Sequence, residues 1–420
     1  MKKLAINGGK PVIDYTLLPF NKIDEEEIES VTELLKSGVL SGFVGAPGKD
    51  FFGGINILNL ESIFCEMFSV PYAISVNSAS SGLYAAMGAI GLSPGDEVIV
   101  PPYTMSATAM APLIYGGIPV FADIEKNTLC LDINSVVQKI SEKTKAIIVV
   151  NLGGHPAELH ELVKLAKKHG IYLIEDNAQA PLAKEFGKFT GTIGDIGIFS
   201  LNRHKHIQCG EGGVCVTSNE HLAKRLSLIR NHGENLVEHF NLDNIENLIG
   251  FNYRMTEIDA AIAICQLKKS ESIIEERRYY AQKLIDGINS IPGIEAPITR
   301  DGCKHVYYSF MMHFNEDTVG ISRNQFCTAL AAEGVPINQG YIKPLYLLPI
   351  FQKRIAIGNQ GFPFNLSSRT YEKGLCPIAE KMYEKEEIGF GICSFELSDK
   401  DIEKIIDAFH KVYDARLSIR

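Results

Sequence analysis

From residue 72 to 217, short apolar runs alternate with stretches patterned as helices, and this alternation constrains the fold more than any other feature of the chain. Strands are expected at YAISV (72–76), EVIVP (97–101), IPVFAD (118–123), AIIVV (146–150), IYLIE (171–175), IGIFS (196–200) and VCVTS (214–218). Between them, SSGLYAAMGAI (80–90) and AELHELVKLAKKHG (157–170) have helical periodicity, the second stopping at Gly170, a residue suited to end a helix. Strands that are apolar along their whole length are covered on both faces, which predicts an α/β fold with a mostly parallel, seven-stranded sheet. Ligands of such sheets bind beyond the carboxyl ends of the strands. Here those ends carry Asn77, Ser78, Tyr103, Asn151, Asp176 and Ser200.

The chain has 420 residues, enough for about two to three domains of ~150 residues each. A long helical pattern at roughly 254–289 leads out of the alternating region. Beyond it come a strand-like HVYYSFMMHF (305–314), a helix-like ISRNQFCTALAAEG (321–334), Pro- and Tyr-rich loops, and a Ser-capped amphipathic helix, SDKDIEKIIDAFHKVYDA (398–415). This predicts a large domain over 1–270, N-terminal segment included, and a smaller α+β domain over 271–420. A net charge of −9 argues against nucleic acid as a partner. No run approaches the ~20 apolar residues of a membrane span, and the N-terminus carries no signal-peptide pattern. Nine cysteines without a CxxC pair read as reduced thiols. The expected location is the cytoplasm, with no membrane partner.

Two residues carry the chemistry. Lys205, in GIFSLNRHKHIQCGEGG (197–213), follows one apolar strand and is the only lysine between Lys188 and Lys224. Asp176 ends another apolar run, and an acid there is costly unless it meets a positive partner. A lysine able to hold an aldehyde as a Schiff base, with an acid able to keep a pyridine nitrogen protonated, is what pyridoxal phosphate chemistry requires. Taken singly, Asp176 is also compatible with a turn cap or a metal ligand, and Lys205 with a solvated surface position. NSASSG (77–82), between a strand and a helix, suits an anion, though it also fits ordinary serine capping. Gln179 is a candidate for the ring hydroxyl and Ser200 for the phosphate. His204 and His206 flank the lysine; lacking further ligands at suitable spacing, they are read as pocket or packing residues and no metal is expected.

Together these segments resemble the DegT/DnrJ/EryC1/StrS family of sugar aminotransferases, within fold-type I pyridoxal phosphate enzymes. The resemblance rests on LAINGGKPV (4–12), VNSASSGL (76–83), VPPYTMSAT (100–108), EDNAQA (175–180), FSLNRHKHIQCGEGG (199–213) and GFNYRMTEIDAAIAICQL (250–267). It implies the aspartate aminotransferase-like fold, pyridoxal phosphate or its pyridoxamine form as cofactor, and a homodimer with shared active sites. By the same resemblance Lys205 forms the Schiff base, Asp176 meets the pyridine nitrogen, and Gln179 the ring hydroxyl. Ala79, Ser80, Ser200 and, from the other subunit, Asn252 hold the phosphate. Met105 falls where the family often stacks an aromatic ring on the cofactor, and Ala79-Ser80 stands in place of Gly-Thr. Residues 41–57 are longer and richer in glycine than the family pattern and are a candidate substrate loop. His204, His206, His232, Tyr341 and Lys343 are candidates for substrate contact. The implied activity moves an amino group from an amino acid, L-glutamate, to a keto-sugar carrying a nucleotide. The alternatives are a pyridoxamine-dependent keto-deoxysugar dehydratase, which has histidine at the lysine position, a keto-cyclitol aminotransferase, and a non-catalytic regulatory protein. The GEGG register places Lys205, not a histidine, at that position.

Overall fold

The computed structural model describes residues 3–419. Its main sheet has seven strands: β1 (Tyr72–Val76), β2 (Glu97–Val100), β3 (Ile118–Phe121), β4 (Thr144–Val150), β5 (Tyr172–Asp176), β6 (Ile196–Ser200) and β7 (Gly213–Thr217). Their spatial order is β1-β7-β6-β5-β4-β2-β3. All neighbouring pairs are parallel except those of β7, which runs antiparallel to β1 and β6. Every strand expected for this sheet is present, with boundaries moved by one or two residues.

Alternation of side chains across the pleat explains why these strands read as continuously apolar. Ile74, Val76, Ile198 and Cys215 enter a core with α3 (Ala79–Ala89), α4 (Leu159–His169) and α5 (Glu220–Arg230). Ala73, Phe199, Val214 and Val216 enter a second core on the opposite face. That core is built with α2 (Ile55–Phe68) and the first half of α6 (Glu257–Ile288). Gly170 adopts a left-handed φ of 66° and caps α4, as its position implies.

β5 shows the alternation at its sharpest. Glu175 and Asp176 face opposite ways at its end. The buried Glu175 carboxylate accepts three backbone N–H bonds, from Gly191 at 2.6 Å and from Ile193 and Gly194 at 2.7 Å. It thereby holds the turn that leads into β6. Gly197 in β6 allows that turn to close, since a Cβ there would lie 1.8 Å from the Gly191 carbonyl oxygen.

A third core draws on α6 (Ala281, Leu284, Ile288), α7 (Arg323–Ala332) and α8 (Asp399–Asp414). They pack on an antiparallel sheet of Ile294–Glu295, Phe310–Phe314, Glu387–Phe390 and Ile337–Gln339, in that spatial order. Capping boxes at Ser322 and Ser398 open α7 and α8. The expected strand from 305 begins only at Phe310, because Tyr307 takes a left-handed φ of 49°.

The cores do not divide the chain at a single point. Leu4, Ile13 and Leu17 belong to the C-terminal core, whereas Leu345, Tyr346, Phe351, Phe364, Tyr371 and Met382 return to the large one. Judged by core membership, the N-terminal segment of the expected 1–270 unit packs with the smaller core, and much of 345–382 from the expected 271–420 unit packs with the larger. We propose a boundary within α6, with these two segments exchanged across it. The 41–57 segment packs on the end of α5, where the Asn231 amide donates to the carbonyls of Phe51 at 2.9 Å and Val44 at 3.3 Å.

Replacing Glu175 with glutamine would put an amide where three buried N–H groups need an anionic acceptor. Glu175→Gln should destabilise the fold by about 1–3 kcal/mol, lowering the urea midpoint with the slope unchanged.

Candidate active site

The carboxyl ends of β1, β4, β5 and β6 converge on a cavity of about 430 Å3, where Asp176, Ser200 and Lys205 meet the start of α3. Asp176 is buried, and its Oδ2 accepts a hydrogen bond of 2.8 Å from the Thr108 hydroxyl. Its Oδ1 accepts one from the Ala178 N–H at 3.2 Å. Burial pushes its carboxyl up from the usual carboxylate range, against the pull of Thr108 and of the Lys205 amine. The same burial lowers the Lys205 amine to about 8, with Asp176 acting in the opposite direction. Each charge therefore supports the other across a desolvated space.

Lys205 belongs to the turn between β6 and β7. Its N–H bonds back to the Asn202 carbonyl at 2.8 Å, and the Leu201 N–H reaches the Gly212 carbonyl at 2.9 Å. The GEGG segment thus closes the lysine's loop as well as starting β7. At the start of α3, the Ser78 hydroxyl accepts from the Ser81 N–H at 3.1 Å. The N–H groups of Ala79 and Ser80 have no acceptor among the described residues. Two unpaired amides at a helix N-terminus favour an anion. Gly213 keeps this corner open, since a Cβ there would come within 2.7 Å of the Ala79 nitrogen.

Ala79, Ser80, Met105, Asp176, Gln179, Ser200, His204, Lys205 and Tyr341 all line the cavity. Met105 is 55% exposed, and Gln179 is buried. The Gln179 carboxamide accepts from the Gly153 N–H at 2.7 Å and donates to the Tyr341 hydroxyl at 3.0 Å. Four expected residues lie outside the lining: Asn252, His206, His232 and Lys343. His206 is fully buried and pairs with the Arg277 guanidinium, with the Cys393 sulfur beside its ring. It is a packing residue rather than a pocket one, because the lysine loop turns it inward. Asn252, His232 and Lys343 are exposed. The Asn252 carbonyl accepts from the Asn77 side chain at 3.4 Å.

Three contributors lacked a local signal. Thr108, three residues beyond Met105, reaches Asp176 because 107–110 forms a short helical turn. Tyr308 comes from 103 positions beyond Lys205 to line the cavity. Glu211 also lines it, its carboxylate held by the Asn202 amide at 2.9 Å.

The strand order, the unpaired amides and the facing acid and amine fit pyridoxal phosphate, and they define a transferase of the aspartate aminotransferase-like type. Comparison with known proteins places it more narrowly. The model of the DegT/DnrJ/EryC1/StrS aminotransferase family matches residues 21–407, and the chain belongs to that family of pyridoxal phosphate-dependent sugar aminotransferases. It is 34% identical over 361 residues to a GDP-perosamine synthase of Escherichia coli O157:H7, covering 86% of this chain and 91% of that one. It is similar in structure to DesV of S. venezuelae, solved in complex with a ketimine intermediate, with a TM-score of 0.80 and 26% identity over 95% of this chain and 99% of that one. DesI, solved in the presence of its TDP-sugar product, matches with a TM-score of 0.80 and 26% identity over 99% of this chain and 98% of that one.

Removing the Asp176 charge takes away what sustains the protonated amine. In cofactor-free Asp176→Asn the Lys205 amine should titrate below the value of about 8 it has in the native chain. The pH dependence of acetylation at Lys205, followed by peptide mass spectrometry, measures this.

Proposed function

We propose that the chain transfers an amino group from an amino-acid donor, L-glutamate, to the keto carbon of a nucleotide-linked sugar, working as a cytoplasmic homodimer. One observation carries this reading: Lys205 and Asp176 face one desolvated cavity that is also lined by the unpaired start of α3. When bound, pyridoxal phosphate supplies an aldehyde for the amine and an electron-withdrawing ring for deprotonation at Cα.

The chain's own residues do the rest. The amides of Ala79 and Ser80, with the Ser200 hydroxyl, bind the phosphate. Asp176, its Oδ2 fixed by Thr108, holds the cationic ring nitrogen. Gln179, locked between Gly153 and Tyr341, orients the ring hydroxyl. Lys205 would anchor the aldehyde and, once the donor amine had displaced it, would be placed to take the donor's Cα proton and deliver it to the former aldehyde carbon, on the other side of the shared nitrogen. An amine lowered to about 8 is suited to that task, because a workable fraction is unprotonated near neutral pH.

The acceptor assignment is supported by the relative named for GDP-perosamine and the neighbour solved with a TDP-sugar product. Transamination is favoured over dehydration because the side chain whose charge acts on Asp176 is the Lys205 amine and not a flanking histidine. The dimer is supported by two surface features. Asn252 is exposed and lies outside its own chain's cavity lining, as expected of a residue supplied to a second copy. Exposed Ile28 and Leu35 on α1 (Glu25–Ser37), Leu40 after it, and Ile55 and Leu58 on α2 form apolar surface that a second copy would cover. Among the described residues no helix is long and apolar enough to cross a membrane.

Borohydride treatment of the holoprotein should fix the cofactor on Lys205, and L-glutamate should bleach the visible band of the untreated enzyme. Lys205→Ala should lose that band and at least about a hundredfold in kcat. Labelling of a different lysine, or a band indifferent to every amino acid, contradicts the reading.

A further inference from the structure

The Lys205 amine lies 4.4 Å from the centroid of the Tyr308 ring. Among the described residues it makes neither a hydrogen bond nor an ion pair, and Asp176 acts on it only through space. The ring face of Tyr308 thus lies beside a cation that has no hydrogen-bonded or ion-paired partner among the described residues. The Tyr308 hydroxyl likewise makes no hydrogen bond with any described residue, so the ring is placed by its backbone and its packing.

That backbone is fixed. The N–H of Val306 donates to the Gly154 carbonyl at 3.0 Å, and that of Ser309 to Gly153 at 3.2 Å. Gly154 lacks a Cβ where one would come within 2.8 Å of the Tyr308 nitrogen. Tyr307, just before, takes a φ of 49°, costly for an aromatic residue. His305 stabilises it, stacking on the Tyr307 ring at 3.8 Å and accepting its N–H at 3.0 Å. The His206 ring meets Tyr308 from the side, with centroids 6.2 Å apart. Gly153 also donates to Gln179, so one turn sets both the carboxamide and the tyrosine ring. Backbone strain next to a cavity residue with an unbonded hydroxyl is hard to explain by stability alone.

We propose that Tyr308 is a positioning residue for Lys205: its ring face holds the free ammonium group over the cavity, so that the lysine returns to one place each time it is displaced. This rests on the proposed role of Lys205 as the proton carrier. A cation over an aromatic face is stabilised by the ring quadrupole, so the interaction favours the protonated amine. Weakening the ring's negative face must lower the pH at which Lys205 loses its proton.

The test replaces Tyr308 with phenylalanine and with its mono-, tri- and pentafluorinated analogues in the full chain, which keep the shape while draining the quadrupole. The readout is the pH midpoint of Lys205 acetylation in cofactor-free protein, mapped by mass spectrometry. Tyr308→Phe should keep the native midpoint. The fluorinated series should lower it stepwise, by roughly half to one and a half pH units at the pentafluoro ring. In the loaded enzyme, assayed above the native midpoint so that the amine is unprotonated throughout the series, kcat of the donor half-reaction should fall along the same series with KM for the donor little changed. A midpoint that ignores fluorination, or one already shifted in Tyr308→Phe, overturns the proposal. Because every variant in the series keeps the shape of the ring, the test does not depend on a cavity-forming substitution that could unfold the chain. Borohydride labelling of Lys205 in each variant separates a failure of this role from a failure of the cofactor reading itself.

Discussion

Desolvation of two opposite charges in one cavity is the constraint on which the site depends. Neither Asp176 nor Lys205 would be stable there alone, since an isolated buried charge shifts its ionisation rather than persist. They do not form a contact ion pair; each raises the stability of the other's charged form through space. A tight salt bridge would neutralise the acid and block the amine. Separation across a cavity leaves the carboxylate available to a bound cation and the amine available to react. Burial lowers the Lys205 amine to about 8, and the nearby carboxylate keeps it from falling further.

The scaffold makes such a costly arrangement affordable by dividing labour along one strand. At the end of β5, Glu175 and Asp176 are adjacent acids with opposite tasks. Glu175 gathers three amides and fixes the turn into β6, which leads on to the Lys205 loop. Asp176 keeps two light contacts, Thr108 and Ala178, and faces the ligand space. Period-two geometry alone separates them. α3 packs on β6 and β7, and its start lines the same cavity as the lysine loop.

Residues from the chain's later part complete the cavity. Tyr308 and Tyr341 reach it from either side of α7, and Tyr341 is fixed twice, by Gln179 on its hydroxyl and by Tyr103 on its N–H at 2.7 Å. These links tie the lining to the return of 345–382 into the large core.

Much of this was legible from the residues in order. Seven apolar runs specified seven strands, because a strand covered on both faces must be apolar along its length, and the period of the helical segments specified what covers them. Asp176 and Ser200 could be named because each closes an apolar strand, and Lys205 because it is the lone lysine between such a strand and a glycine turn, whereas Ala79 and Ser80 follow from the family resemblance. The direction of β7, the exchange of segments between the cores, the inward turn of His206 and the arrival of Thr108 and Tyr308 could not be read this way. Each depends on contacts between residues far apart in the chain, or on which way one side chain turns in a loop. Local sequence determines which elements form and which faces they bury; only the packing of those elements decides which distant side chains share a cavity, because that choice is made by the summed fit of whole surfaces.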